Sequence, residues 1–341
     1  MVRPVHACFP ERMPTLAEAR QTAAWLATCQ EADGAFGWER RRHVDAWNHT
    51  ESAMAMTAFG EHEAADRAYL WLRETQRPDG TWPMRSTRGV VEDASADSNQ
   101  VAYIAVGAWH HWLVRQDRDF VDVMWPHVRR ALDWVVARQL EWGGISWNES
   151  ADGTLWDTAL LAGSSSIVHS LDCGILLAEL VGVGESAVAW ARARVRLAEA
   201  VRDHEALFID NSRYSMDWYY PVLGGALRGE AARERLEKRW DEFVRPGLGI
   251  HCVADHPWVT GAETCELALS LDAIGDRDGA KQLIRSIQHL RETDGSYWTG
   301  QVYVEGVRWP LERSTWTSAA VLLAIDAVTD HSGGAGIFRL T

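Results

Sequence analysis

The chain has 341 residues, 47% of them hydrophobic, and a formal net charge of -14. That length and apolar share can bury a large core, while so acidic a balance repels phosphate backbones and excludes nucleic acid as a partner. Five cysteines without a CxxC pair (Cys8, Cys29, Cys173, Cys252, Cys265) support neither a disulfide framework nor a zinc site. The most basic run, Glu39 to Arg42, is too short for a nucleic-acid patch and reads as a solvated loop. The N-terminal MVRPVHACFPERMP lacks a signal-like apolar run, and no uncharged apolar stretch is long enough to span a membrane, so a cytoplasmic protein is expected.

Along the chain, Thr15 to Gln30 reads as a helix opened by a Thr15/Glu18 capping box. The loop Asp33-Gly34-Ala35-Phe36-Gly37-Trp38 follows, then an apolar, small-residue helix over Ser52 to Phe59. A second such loop, Asp79-Gly80-Thr81-Trp82-Pro83, leads to a helix over Val101 to Trp109. Asp119 to Gln139 carries Phe120, Val123, Met124, Val128, Leu132, Val135 and Val136 on one broad face. Gly143 to Trp147 is the third loop, and Ala159 to Val181 the apolar helix after it. Less regular loops lie around Ile209 to Trp218 and Gly247 to Trp258, the latter before an apolar helix over Leu267 to Ile274. Arg277 to Leu290 is amphipathic again and ends in Asp294-Gly295-Ser296-Tyr297-Trp298.

This grammar (amphipathic helix, Gly-rich aromatic loop, apolar helix) recurs along the whole chain, and strand signals are scarce. An apolar helix is a buried one, so the pattern describes an inner ring of helices inside an outer ring. The expected fold is all-α, an (α/α)6 toroid of six helical hairpins forming a single domain over residues 1–341.

Two families share such repeats. Gln76-Arg77-Pro78-Asp79-Gly80-Thr81-Trp82 resembles the repeats of squalene cyclases and prenyltransferases. A longer stretch is similar to the middle of glucoamylase-like six-hairpin glycosidases. It runs Asp97-Ser98-Asn99, Trp109, Trp112, Asp117, Phe120, Trp125-Pro126, Val128 to Val135 (VRRALDWV), then Gly144 to Glu149 (GISWNE). That resemblance implies an inverting glycoside hydrolase working with two carboxylates and no cofactor, with one carboxylate near Glu149. The cyclase reading lacks a DxDD acid, since Asp93-Ala94-Ser95-Ala96-Asp97 does not match it, and no Asp/Cys/His zinc set supports a prenyltransferase. Only Lys238 and Lys281 supply lysine, a codon bias of GC-rich genomes. Size, genome style and fold together resemble the methylmannose polysaccharide hydrolases, which implies endo-mannosidase action on an intracellular polysaccharide.

In such a ring every loop entering an inner helix lies at one end, so the aromatic loops converge on a mouth. Nineteen tryptophans, many beside glycines and carboxylates, suit sugar stacking there. Glycoside hydrolysis needs one protonated and one ionised carboxyl group across the scissile bond. The candidates are Asp45, Glu51, Asp97, Glu149, Asp157, Asp217, Glu263 and Glu312. Glu51 and Asp97 also fit helix first turns, Asp157 and Asp217 helix caps, and Glu312 an ion pair with Arg313. Asp45, inside His43-Val44-Asp45-Ala46-Trp47-Asn48-His49, and Glu263, entering an apolar helix, form the expected catalytic pair. Burial favours the protonated form a general acid requires, so Glu263 is the expected acid. Asp97 and Glu149 are the reserve pair.

The expected glycan-binding surface comprises Trp38, His43, Trp47, His49, Glu51, Trp82 and Trp147, with Asp217, Trp218, His256, Trp258, Tyr297 and Trp298; no metal is expected. Four other readings stay open at this point. The histidines His43, His49, His110, His169, His251 and His256 fit a sugar 2-epimerase, and Tyr214 or Tyr219 a lyase base. An isoprenoid cyclase is the third and a non-catalytic glycan-binding toroid the fourth.

Overall fold

The computed structural model describes residues 12–340, so Cys8 and most of the N-terminal run lie outside the described residues. Helix takes 57% of the structure and strand 10%. Helix α1 (Leu16–Thr28) starts on its capping box, with Glu18 N donating to Thr15 Oγ1 at 3.2 Å and Thr15 N to the Glu18 carboxylate at 2.8 Å. Helix α2 (Ala46–Ala58) begins well before the apolar run at Ser52, because Asp45 caps it, and it is buried along its whole length. The amphipathic α3 (His62–Thr75) is followed by the hairpin β1 (Arg85–Thr87) and β2 (Val90–Asp93). Strand β3 (Ala96–Asp97) leads into α4 (Ser98–Ala102) and α5 (Ile104–Arg115).

Helix α6 (Arg118–Val136) is capped by Asp117 and buries Val121, Met124, Val128, Leu132 and Val135. Val123, expected on that face, is 46% exposed. Strand β4 (Asn148–Glu149) pairs with β3. Then come α7 (Leu161–Val181), α8 (Gly184–Asp203), α9 (Ser215–Leu223), α10 (Gly229–Lys238) and the short α11 (Trp240–Phe243). Strands β5 (Val244–Arg245), β6 (Gly249–His251) and β7 (Trp258–Thr260) precede α12 (Gly261–Ala273) and α13 (Arg277–Ser286). Strands β8 (Gly300–Val302) and β9 (Val307–Arg308) complete one antiparallel sheet in the order β5-β6-β7-β8-β9, and α14 (Thr315–Thr329) follows.

The apolar helices touch one another in succession: α2 on α5, α5 on α7, α7 on α9, α9 on α12 and α12 on α14. The last, α14, packs on α2 again and is backed by α1, so the contacts form a circuit. The amphipathic helices lie behind it, α3 on α2, α6 and α8 on α7, α10 on α9 and α13 on α12. Helix α7 is long and apolar, 21 residues, but it is mostly buried against α5, α8 and α9. Its Asp172 is bridged by Arg194 at 2.9 Å.

The repeated loops have a structural cause. Gln76 Nε2 donates to Gly80 O at 2.9 Å within its own loop and to His127 O at 3.0 Å on α6. Gln30 does the same with Gly34 O and Ala64 O, and Gln139 with Gly143 O and Ala193 O. Gly80 has φ +98°, and a Cβ there would stand 2.6 Å from Arg130 O. The Gln-Asp-Gly-Trp likeness to cyclase repeats is therefore a clamp tying each loop to the next outer helix.

Candidate active site

The N-terminal ends of α2, α4, α9 and α12 each carry a carboxylate: Asp45, Asp97, Asp217 and Glu263. Asp45 caps α2, its side chain accepting from Asn48 N at 2.9 Å and from the Asn48 amide. Asp97 caps α4 by accepting from Gln100 N at 3.0 Å. Asp217, on α9, accepts from Ala162 N at 3.2 Å, so it caps α7 across the interface rather than its own helix. Glu263 lies in the first turn of α12, with Oε2 fully buried and unpartnered and the Cys252 thiol against the carboxylate.

Deeper in the circuit stand two more acids. Glu51, past the first turn of α2, accepts from Tyr103 OH at 2.9 Å. Glu266, three residues after Glu263 on α12, accepts from the phenols of Tyr219 and of Tyr220, the latter at 2.7 Å. Sequence reasoning singled out neither Glu266 nor Tyr103, Tyr220 and Trp316. The one available signal was a second glutamate at i,i+3 on an otherwise apolar helix.

These carboxyl groups repel one another in a row: Asp97 with Asp45, Asp45 with Glu51, Glu51 with Glu266, and Glu266 with Glu263. Burial raises Asp97 to about 6, with the Asp45 charge adding to the rise. It pushes Glu51 up to about 8 and Glu266 well above the carboxylate range, against the phenol hydrogen bonds each accepts. Burial raises Asp45 too, although Asn48 and His43 favour its ionised form. Asp217 is raised to about 6 by burial. Acids held near neutrality inside a cleft are the groups proton transfer requires.

Two cavities open side by side at these N-terminal ends. The smaller, about 180 Å³, is lined by Trp38, Asp45, Trp47, Asn48, Asp97, Asn99, Gln100 and Trp316. Its aromatic wall is continuous: Trp38 stacks on His43 and tilts on Trp316, and Trp316 meets Trp47 edge-on at 5.6 Å. The larger, about 230 Å³, shares Asp97 and Asn99 and adds Trp147, Leu160, Ile167, Tyr214, Met216, Asp217 and Cys252.

Other expected site residues lie elsewhere. Trp82, Trp218 and Tyr297 are buried in the packing, donating to Leu72 O, Arg235 O and Gln288 respectively. His49 is buried between Phe36 N and Ala68 O, and desolvation lowers it to about 4. Glu149, on the strand paired with that of Asp97, is held by Arg138, whose guanidinium stacks on Trp134 at 3.6 Å. His256 is exposed beside Asp255, while Trp258 on β7 donates to Trp309 O at 2.7 Å. Trp298 is half-buried and donates to Glu292. Asp157 is exposed and caps no helix, and Arg313 pairs with Asp294, not with Glu312. His110 and His169 are buried inside the helices, and His251 meets Tyr303. Burial holds the Tyr219 phenol far above the range of a base.

The MMP endo-(1,4)-3-O-methyl-alpha-D-mannosidase of Mycolicibacterium hassiacum is 53% identical over 322 residues, covering 94% of this chain and 89% of that one. The chain belongs to this mannosidase family. It is a glycoside hydrolase, and membership sets aside the cyclase, epimerase, lyase and binding-module readings. No protein-family model matches it. Among solved structures, a glycosidase in complex with glucose superposes with TM-score 0.74 at 16% identity, over 92% of this chain and 98% of that one. A Klebsiella oxytoca rhamnosidase with rhamnose bound gives 0.67 at 16% identity, over 93% and 65%. A Clostridium perfringens alpha-amylase gives 0.65 at 10% identity, over 91% and 98%. These likenesses to the mannosidase-family chain are of fold.

Proposed function

We propose that this member of the mannosidase family cleaves α-1,4 links inside a 3-O-methylmannose polysaccharide, in one (α/α)6 toroid spanning the chain. The observation that carries the substrate is the 53% identity, over 94% of the chain, to an enzyme named for that cleavage. The closed circuit of helix contacts supports the toroid, and two adjacent cavities sharing one wall favour a substrate extending past a single sugar. The glycan is the partner, and the cytoplasm, where such a polysaccharide would be met, is the proposed location.

Asp45 and Glu263 are the proposed catalytic pair. Both oxygens of Asp45 are engaged by Asn48, which favours a carboxylate, while burial raises its pKa and so its strength as a base. Glu263 has an oxygen that no protein group occupies, free to carry the proton of a general acid. Glu263 protonates the glycosidic oxygen as the bond from the anomeric carbon to that oxygen breaks. Asp45 removes a proton from the water that attacks the same carbon from the opposite face, which inverts the anomer. Trp38, Trp47 and Trp316 supply stacking faces, Asn48 borders the same cavity and can bond a hydroxyl, and His43 backs the Trp38 ring.

The test is digestion of α-1,4-linked 3-O-methylmannose oligosaccharides, with products read by mass spectrometry and the first-formed anomer by NMR. Internal fragments bearing a β-anomer, lost in Glu263→Gln and in Asp45→Asn, are expected. Intact substrate, or cleavage only of α-glucans, overturns the reading.

A further inference from the structure

The larger cavity is apolar where a bare sugar would want partners. Ile145, Leu160, Ile167 and Met216 supply much of its lining; Asp97 and Asn99 are shared with the smaller cavity, and Ser164, Asn211, Tyr214 and Asp217 are the other polar residues that border it. Ile145 and Ile167 are each 1% exposed and belong to the packed core, so this apolar lining is preformed. Two polar atoms at its rim, Asn99 Oδ1 and Ser164 Oγ, are buried and have no hydrogen-bond partner in the protein. So does the Trp147 indole N–H. Unpaired buried polar atoms cost free energy, and a ligand that satisfies them recovers it.

A free hydroxyl set against Ile145, Leu160, Ile167 and Met216 would lose its water and gain no partner from those side chains. A methyl ether carries no donor, and its methyl group gains by leaving water. Ser164 and the Trp147 indole can donate to ring or hydroxyl oxygens at the rim, and Asn99 Oδ1 can accept from a hydroxyl. The cavity shares Asp97 and Asn99 with the one that holds Asp45, so it takes the sugar next to the cleavage position.

We infer that this cavity is the methyl-reading subsite of the cleft: it seats an O-methyl group of the neighbouring sugar on Leu160, Ile167 and Met216 and so selects methylated over bare mannan. The inference rests on the mannosidase reading above and adds where selectivity resides.

The experiment compares kcat/KM on two α-1,4-oligomannosides of equal length, one 3-O-methylated and one not, for wild type, Met216→Gln and Leu160→Asn. Met216 and Leu160 are only partly buried, Gln is close to Met in shape, and Asn is a favourable cap at the position Leu160 holds before α7. Thermal melts confirm that each variant is folded. Wild type should prefer the methylated substrate about tenfold or more, the scale of one methyl group in an apolar pocket. In both variants that ratio should fall towards one. Equal use of both substrates by wild type overturns the methyl-reading subsite and leaves the mannosidase reading intact. Cleavage of neither overturns the mannosidase reading itself. A wild-type preference retained in both variants places methyl selection elsewhere and overturns the inference.

Discussion

Tyr103 donates its phenolic hydrogen to Glu51 at 2.9 Å, and the donor and acceptor sit behind Asp45 on neighbouring inner helices. Neither partner is a cation, so the bond satisfies an oxygen without neutralising a charge. Burial then decides, and Glu51 is held at about 8 against an ordinary 4.5.

That raised value makes stability depend on pH. Between the two values the folded state holds a proton that the unfolded chain has released. The contribution is present in full below about pH 4.5 and is lost as pH rises through about 8. Each pH unit in that window removes about 1.4 kcal/mol. Glu51→Gln, which is neutral throughout, should flatten the fall. Urea denaturation from pH 5 to 8 measures it, and an unchanged slope would show that Glu51 is ionised when folded.

The buried histidines act in the opposite direction. His110 and His169 are both lowered to about 3 by desolvation, so the folded state favours neutral rings. Their contribution is complete above about pH 6.5 and is lost as pH falls towards 3. His110→Gln should lessen the acid-side loss between pH 6.5 and 4. Denaturation midpoints that move with pH as steeply as in wild type would contradict this.

The three acids named for catalysis separate by mutation. Asp45→Asn and Glu263→Gln should each lower kcat by a factor of about 10³ or more, in line with the loss of a positioned acid or base. Glu149→Gln removes only the partner of Arg138 and should leave kcat within about threefold while costing about 1–3 kcal/mol of stability. A collapse of kcat in Glu149→Gln would favour the reserve pair of Asp97 and Glu149.

Gln76→Ala should cost about 1–3 kcal/mol, because Gly80 O and His127 O lose a shared donor. Gly80→Ala should cost more, since φ of +98° and the Arg130 carbonyl at 2.6 Å both oppose a side chain. Chemical denaturation ranks the two, and a neutral Gly80→Ala would mean that the clamp is not under steric control.

Much of the helical body was legible because its signals are local. The Thr15/Glu18 box, the Asp-Gly turns and the apolar runs each need only a few neighbouring residues to be read. The sheet over residues 244–308 was missed because its strands are two or three residues long and have no alternating run. Trp82, Trp218 and Tyr297 were nominated for the mouth because sequence places an aromatic residue in or near a loop without showing its direction. In each, an N–H or O–H reaches an acceptor inside the wall and turns the ring inward. Asp217 shows the same limit from the other side: the backbone N–H it receives belongs to Ala162, far away in the chain.

The contact of α14 with both α1 and α2 has a consequence for synthesis on the ribosome. Helices α1 and α2 emerge long before α14, the helix they are seated against. Until α14 is made, one flank of α2 faces water, and all of its residues are ones the finished protein hides. The nascent chain therefore carries an open apolar seam until residues 315–329 have been made. A truncation that removes residues 315–329 deletes the closing wall of α1 and α2 along with α14 itself.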